Sequence, residues 1–232
     1  MVDMYRGPEA DLQPTVYRAR HAAVDEHALL DGDGWDAAMA ITWGPDGLAT
    51  TFRAVWLPRG LAVRWDVQDV LPWATRTQRD DCLWDTEVVE VFLDPTRSGT
   101  DYAELEITPA NVVCDLHIER LEPERVVHLG WDFAGLRTRV HRADGTDDWT
   151  AIAWMPFEDF ATISPRVAAC VPVRPGDEWH FNAFRIKRPG GPDRPEDDVL
   201  YAAWSVPDGP TFHAPSFFRR LVFEGQVEDE SR

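Results

Sequence analysis

Hydrophobic and polar residues alternate along much of the chain in short runs. In residues 61–67 large apolar side chains stand at every odd position, and in residues 102–108 the odd positions are apolar and the even ones mostly polar. Residues 150–155, 179–186 and 199–206 continue this alternation. A period of two is the signature of β-strands rather than of helices. The pattern predicts many short strands, each with one face directed inward.

Turn residues separate these runs. The chain contains 18 Pro and 15 Gly, with dense clusters at residues 31–34, 44–47 and 189–192. Many short strands joined by such turns are typical of an all-β, antiparallel β-sandwich or barrel. Only residues 35–40 and 157–163 have a brief helical pattern, so we expect one or two short helices.

The chain shows no internal repeat and no shift in composition that would divide it. We therefore predict a single domain over residues 16–224, preceded by an extension at 1–15 and followed by a flexible acidic tail at 225–232. The loop at 188–198 is rich in Pro, Gly and Asp, a composition that marks either a functional loop or a merely mobile one.

The charge is strongly negative. Asp and Glu number 41 against 23 Lys and Arg, which gives a net charge of −18, and Lys187 is the only lysine. Such a field repels phosphate backbones and anionic lipid, so neither nucleic acid nor a membrane is an expected partner. Residues 1–9 contain no apolar segment of a secretory signal. This predicts a cytoplasmic protein, or a secreted one if a leader has been removed.

Several common chemistries have no motif here. The three cysteines are widely spaced and include no CxxC pair, which indicates reduced core thiols rather than a disulfide scaffold or a zinc site. No phosphate-binding glycine loop, HExxH helix or GxSxG elbow is present. The seven histidines are scattered without metal-ligand spacing, so no metal ligand is assigned on that basis.

Glu90 is the most informative single position. In the strand over residues 86–93 it shares a face with Val88 and Phe92, where a carboxylate is costly unless it is hydrogen-bonded or paired. An arginine, backbone groups or a partly hydrated sheet face could hold it. Alternatively, Glu90 accepts hydrogen bonds from ligand hydroxyls at the edge of a pocket.

Aromatic residues on predicted loops offer stacking surfaces. Trp84 either caps the core or presents its indole face to a ligand such as a sugar ring. Phe212 and His213 lie between prolines in a stiff loop, where His213 serves either structure or ligand binding. Arg185 falls on the apolar face of its strand and needs an anion, for which Glu90 or Glu104 is the predicted partner.

Taken in order, several segments resemble the family 9 carbohydrate-binding modules, which have a DOMON-like, jelly-roll-like β-sandwich. The match opens with Leu30-Asp31-Gly32 and Trp35-Asp36, is most specific over residues 83–94, and continues through residues 102–109, 204–207 and 212–218. It covers about residues 16–224. The series of segments, rather than any one of them, carries the resemblance.

The resemblance implies a sugar clamped between two aromatic residues, with Trp84 as the first, Phe212 as the second and Glu90 as the acid. One departure is that this sequence has Glu106 where those modules carry an arginine. From the resemblance as a whole we predict a non-catalytic binder of a small saccharide or chain end, either monomeric or weakly homo-oligomeric. Its predicted ligand contacts are Trp84, Glu90, Glu104, Arg185, Trp204, Phe212 and His213.

Two further expectations follow from the resemblance. Related modules hold structural calcium, for which Asp94 and Asp101 could offer oxygen ligands; no other cofactor is expected. The alternative function is a stand-alone enzyme acting on a glycoside or another cyclic metabolite, with Glu90, Glu104 or His213 as acid or base. A pure interaction domain is the third possibility.

Overall fold

The computed structural model of the chain describes residues 4–8, 10–121 and 124–225. Strands dominate this part of the chain, with three short α-helices and three 3₁₀ helices. The strands are β1 Val16–His21, β2 Ala40–Trp43, β3 Thr50–Leu57, β4 Gly60–Val67, β5 Val88–Asp94, β6 Asp101–Ile107, β7 Val113–Leu121, β8 Glu124–His128, β9 Arg137–Arg142, β10 Trp149–Pro156, β11 Glu178–Lys187, β12 Leu200–Ala203 and β13 Arg219–Phe223.

The strands form two sheets that share β1. The front sheet has the order β8-β7-β6-β5-β11-β13-β1, with β12 also paired to β11. The back sheet has the order β1-β3-β4-β10-β9, with β2 also paired to β3. The first part of β1 pairs with β13 and its last two residues pair with β3, both in parallel. All other pairings in the ladders are antiparallel. The predicted all-β sandwich is confirmed, with these two parallel contacts as a departure.

The strand predictions agree closely with the structure, and one of the two predicted helices does not. Helix α2 (Phe157–Phe160) begins the segment predicted at 157–163, and α3 (Pro165–Ala168) follows it. The helix predicted at 35–40 is absent, and α1 lies earlier, at Glu26–Asp31. Asp25 accepts hydrogen bonds from the first-turn amides, and Gly32 ends α1 with a φ of 102°, so the capping residues decided its position.

The main core lies between the two sheets. Val89, Val91 and Leu93 of β5 face it, together with alternate residues of β3, β4, β6, β10 and β11. This is the inward face that the alternation predicted. Burial of each such side chain contributes roughly 1.5–3 kcal/mol relative to exposure, so the core fixes which side of each strand faces outward.

The outer face of the front sheet, turned away from the back sheet, is also covered. Phe92, Tyr102 and Phe184 form a second hydrophobic cluster there with Phe212 and Phe218 from the C-terminal loop. The alternation had assigned the polar even positions of β6 to the outside. They do point away from the main core, but the loop covers them. The alternation shows which residues of a strand share a face. It does not show whether residues distant in the sequence cover that face.

The three cysteines are free, with Cys114 buried and Cys82 and Cys170 half-buried. Only Cys114 is therefore the fully buried thiol that was predicted.

No helix in the described ranges is long and apolar enough to cross a membrane. Residues 226–232 of the predicted tail lie outside the described part of the chain.

Candidate functional site

A cavity of about 360 Å³ opens on the outer face of the front sheet. This volume is at the lower end of the range for small-molecule sites, about 300–1,000 Å³. Strands β5, β6, β7 and β11 supply its floor, and further lining residues come from β8 and β12. Trp84 and residues 210–213 come from segments between strands. Its lining residues are Met4, Trp84, Glu90, Phe92, Glu104, Glu106, Leu116, Ile118, Arg125, Val127, Ile186, Tyr201, Pro210, Thr211, Phe212 and His213.

Three glutamates form a cluster on the floor. Glu90 on β5 lies opposite Glu106 on β6 in the strand register, and Glu104 is two residues before Glu106 on the same face. Their residues are 2%, 1% and 5% exposed, respectively. One oxygen from each carboxyl lies within 4.8 Å of one oxygen from each of the others. Because of this register, the three carboxyl groups lie side by side and form one acidic surface.

No Arg or Lys lies within ion-pair distance of this acidic cluster in the described part of the chain. His213 Nδ1 is 3.8 Å from Glu104 Oε2, but burial lowers the pKa of this imidazole and keeps it neutral. Glu90 Oε1, Glu104 Oε2 and Glu106 Oε2 are each buried without a hydrogen-bond partner. The contrasting cluster is Asp80, Asp115 and Asp132, where the guanidinium of Arg79 contacts each of the three. A buried acceptor without a partner is costly, so the glutamate cluster has unused capacity to bind donors.

Burial and mutual repulsion shift the titration of this cluster. Desolvation raises the pKa of Glu104 to about 7, although a hydrogen bond with Glu106 and the charge of Arg125 oppose the shift. Desolvation and the neighbouring carboxyls raise the pKa of Glu90 and of Glu106 well above its usual range. Near neutral pH the three groups therefore share protons and titrate together.

Trp84 forms one wall and is held by its backbone. It lies in the 3₁₀ helix Leu83–Asp85 and is 37% exposed. The buried guanidinium of Arg188 donates from Nη2 to the Trp84 carbonyl at 2.9 Å and from Nε to the Thr86 carbonyl at 3.2 Å. Because Arg188 fixes the main chain, the indole can remain partly exposed toward the cavity without loosening the loop.

Phe212 and His213 also line the cavity. The Phe212 ring stacks on Phe184 with centroids 4.3 Å apart, and the His213 ring stacks on Phe92 at 5.0 Å. His213 Nδ1 lies 3.0 Å from the Tyr102 hydroxyl. Burial and the charge of Arg125 lower the pKa of His213 to about 3. The imidazole is therefore neutral at physiological pH, and it can donate one hydrogen bond and accept another without adding a positive charge.

Arg185 is not in this cavity, contrary to the sequence prediction. It lies on the core face of β11, 1% exposed, whereas Glu90 and Glu104 lie on the outer face of the front sheet. Its Nη2 is 3.1 Å from Asp69 Oδ2, and its Nη1 donates to the Leu48 carbonyl at 2.6 Å. The predicted partners were wrong because opposite faces of one sheet cannot meet.

Trp204 is likewise outside the cavity. It is fully buried in the main core, where its ring packs on Phe181 with centroids 4.8 Å apart. The guanidinium of Arg219 lies 5.0 Å from the centroid of its ring. Of the seven predicted ligand contacts, the structure brings together Trp84, Glu90, Glu104, Phe212 and His213.

Residues that were not predicted complete the cavity. Glu106 carries a third carboxyl, and its spacing of two from Glu104 was the available signal that both share a face. Tyr201 packs edge-on against Phe212 at 6.0 Å, while Arg125 on β8 is an exposed cation at the rim. Neither of the latter two had a local sequence signal, because β8 and β12 reach the site only through sheet pairing.

The two aspartates nominated for calcium are engaged elsewhere. Asp94 caps the following turn, accepting from the amide of Thr96 at 3.0 Å and from the amide of Gly99 at 2.7 Å. Asp101 Oδ1 lies 3.2 Å from Nε2 of His117. Neither belongs to a three-residue group of potential ligands in the described chain, so calcium at this place stays a prediction.

A larger depression of about 640 Å³ lies near Arg97, Cys170 and Glu178. Glu178 in its lining contacts both Arg97 and Arg220. The unpartnered buried atom in its described lining is Nε1 of Trp179, which is also its one aromatic residue, and it has no cluster of unpartnered carboxyl oxygens like that of the smaller cavity. We therefore take the smaller cavity as the candidate site.

No protein-family model matches the chain. A curated relative from Arthroderma benhamiae, named an extracellular protein, is 25% identical over 185 residues and matches 75% of this chain and 78% of its own length. This finding contradicts the cytoplasmic location predicted above. That prediction rested on the polar first residues alone, which do not determine the compartment.

Solved structures share the fold. A family 9 carbohydrate-binding module from Caldicellulosiruptor kristjanssonii, in complex with glucose, aligns with a TM-score of 0.64 and 13% identity over 94% of this chain and 100% of that one. In complex with cellotriose the TM-score is 0.63, with 14% identity over 94% and 97%. A candidate carbohydrate-binding protein from Bacteroides uniformis aligns at 0.65, with 18% identity over 90% and 99%. The chain has the fold of the family 9 carbohydrate-binding modules, as the resemblance implied.

Proposed function

We propose that this protein binds carbohydrate, and that a pyranose ring at a chain end or in a small saccharide occupies the cavity between Trp84 and Phe212. The observation that carries this proposal is one site that combines two aromatic walls with a floor of unpartnered acceptors. Sugars need both, because their C–H faces stack on aromatic rings while their hydroxyls require hydrogen-bond partners. The shared fold with modules solved in complex with glucose and cellotriose supports the same conclusion.

The arrangement favours binding over hydrolysis. Glycosidases place two carboxyl groups on either side of the scissile bond. Here the three acids of the described lining lie on its floor, on neighbouring strands, and the lining also includes Trp84, Phe212 and His213. Because burial keeps His213 neutral, the described lining carries no acid apart from the three carboxyls of the floor. The likeness to an extracellular protein fits a role with carbohydrate outside the cell.

Titration calorimetry with a panel of monosaccharides and short oligosaccharides tests the proposal. Trp84→Ala should weaken binding about threefold to tenfold, because aromatic stacking contributes about 0.5–1.5 kcal/mol beyond burial. Trp84→Phe, which keeps a ring, is the matched control and should retain most of the affinity. Unchanged binding in Trp84→Ala would refute the site, and new products in chromatograms of the incubated sugars would favour the enzyme instead.

A further inference from the structure

We infer that the site selects sugars bearing a protonated primary amine, such as a hexosamine with a free amino group, over the equivalent neutral sugars. The inference rests on the proposed carbohydrate binding and names the ligand class of the same cavity. It follows from the number and spacing of the acceptors on the floor, and from the apolar character of the surrounding walls.

An ammonium group matches the floor geometrically. It has three N–H donors, and three acceptors each placed about 2.8 Å from a tetrahedral nitrogen lie about 4.6 Å from one another. The oxygens of Glu90, Glu104 and Glu106 lie within 4.8 Å of one another. Each carboxyl also has an oxygen without a hydrogen-bond partner, on a residue that is at least 95% buried. The 4.8 Å limit accommodates the spacing that an ammonium group requires, and each carboxyl keeps one unpartnered oxygen that could accept an N–H.

Charge favours the same ligand. Neutral hydroxyls can share hydrogen bonds with the cluster, but only a cation also offsets the repulsion among its carboxylates. Arg125 is the cation of the cavity lining, and it is exposed on β8 without an ion pair to any of the three glutamates. The entering amine therefore supplies a charge that the described part of the chain does not supply at the floor.

The surroundings of the carboxyls favour an organic cation over a metal ion. Calcium takes six to eight oxygen ligands, whereas the side chains beside the carboxyls on the same sheet face are largely hydrocarbon, including Leu116, Ile118 and Ile186. Aromatic faces at Trp84 and Phe212 can receive a sugar ring and attract an adjacent cation. A pyranose with an amino substituent uses both the walls and the floor.

Amine binding should release protons, because the incoming charge favours the ionised carboxyls. The titratable groups that face the cluster from neighbouring elements are Cys82, Tyr102, Cys114, Arg125 and His213. Tyr102 and Cys114 remain protonated, because burial raises the pKa of both groups. The glutamates are thus the proton source, and the release is measurable as a dependence of binding enthalpy on the buffer.

The test compares glucosamine, glucose and N-acetylglucosamine by calorimetry at pH 6.5, with and without EDTA. Glucosamine is expected to bind about tenfold or more tightly than either neutral sugar, since hydrogen bonds to charged groups are the stronger ones. This preference should shrink to about threefold or less in Glu106→Gln. It should persist in Glu158→Gln, which makes the same substitution at an exposed position in α2.

The outcomes separate this inference from the proposed function. Equal affinity for glucose and glucosamine overturns the amine preference and leaves carbohydrate binding intact. Binding that disappears in EDTA and returns with calcium overturns it in favour of a metal ion. If none of the panel sugars binds, both conclusions fail. Circular dichroism confirms that each variant is folded, and Glu104→Gln provides a second charge-neutral variant.

Discussion

Replacing one glutamate of the floor with glutamine should make the protein more stable at alkaline pH. Glu104→Gln keeps the shape of the side chain and removes its charge. In the folded protein burial raises the pKa of Glu104 from its ordinary 4.5 to about 7. The folded state then binds this proton more tightly than the unfolded state. The stabilisation from Glu104 is therefore complete below about pH 4.5 and is lost as the pH rises to about 7.

The size of the effect follows from the two pKa values. A tenfold change in proton affinity corresponds to about 1.4 kcal/mol, so a pKa of about 7 instead of 4.5 corresponds to about 3 kcal/mol. Glutamine cannot ionise, and the variant escapes this loss. At pH 8 the free energy of unfolding of Glu104→Gln should exceed that of the wild type by about 3 kcal/mol. Near pH 4.5 the difference should approach zero.

Urea unfolding at pH 4.5, 6 and 8 measures this difference directly. Subtracting the wild type removes the contribution of titrating groups outside the cluster, such as Glu87, whose pKa burial also raises to about 7. The difference then reports Glu104 together with its coupled neighbours Glu90 and Glu106. Exposed Glu158→Gln controls for the change in net charge and should alter stability by less than about 0.5 kcal/mol. A Glu104→Gln variant that is equally or less stable than the wild type at pH 8 would refute the reasoning.

Three other changes probe the support of the site and the core. Arg188→Met removes buried donors to the Trp84 loop and should lower the free energy of unfolding in urea by about 3 kcal/mol and weaken sugar binding. Arg188 also forms an ion pair with exposed Glu196. Glu196→Gln should change stability by less than about 1 kcal/mol, and a loss of stability equal to that of Arg188→Met would contradict this. Asp69→Asn removes the carboxylate that contacts buried Arg185 and leaves Lys187 paired with Glu87 alone. It should cost about 3–5 kcal/mol in urea unfolding, and a neutral result would contradict the pairing. Burial and the nearby acids raise the pKa of Cys114, so it should react last with a thiol reagent in native protein, and early labelling identified by mass spectrometry would contradict its burial.

Strand positions could be predicted because alternation reflects direct contact with one core. Residues 61–67, 102–108 and 179–186 all lie in or at the ends of strands with the expected inward face. The helix at 35–40 failed because short helices depend on caps, and Asp25 and Gly32 placed α1 earlier. For helices this short, the capping residues rather than the hydrophobic pattern determine where the helix begins and ends.

The site could be predicted only in part. Trp84 and Phe212 are aromatic residues on predicted loops, and Glu90 is a carboxylate among apolar residues of a strand. Each was therefore unusual in its local sequence, and all three line the cavity. Arg185 was unusual in the same way as Glu90, but its partner is Asp69, which is far away in sequence. Such a position shows that a polar group needs a partner, whereas the fold alone decides whether that partner is another residue or a ligand.

Asp69 and the three glutamates of the cavity floor illustrate this difference. Asp69 contacts Arg185 at 3.1 Å and Lys187 at 2.8 Å, so its negative charge is compensated within the protein. The floor of the cavity has no such compensation, and its charge reduces stability above neutral pH. A fold that keeps a destabilising cluster beside an open cavity is expected to use it for function. Glu106→Gln should accordingly gain stability at pH 8 while losing its preference for an amino sugar. Both changes must occur together if one set of unpartnered carboxyls causes them.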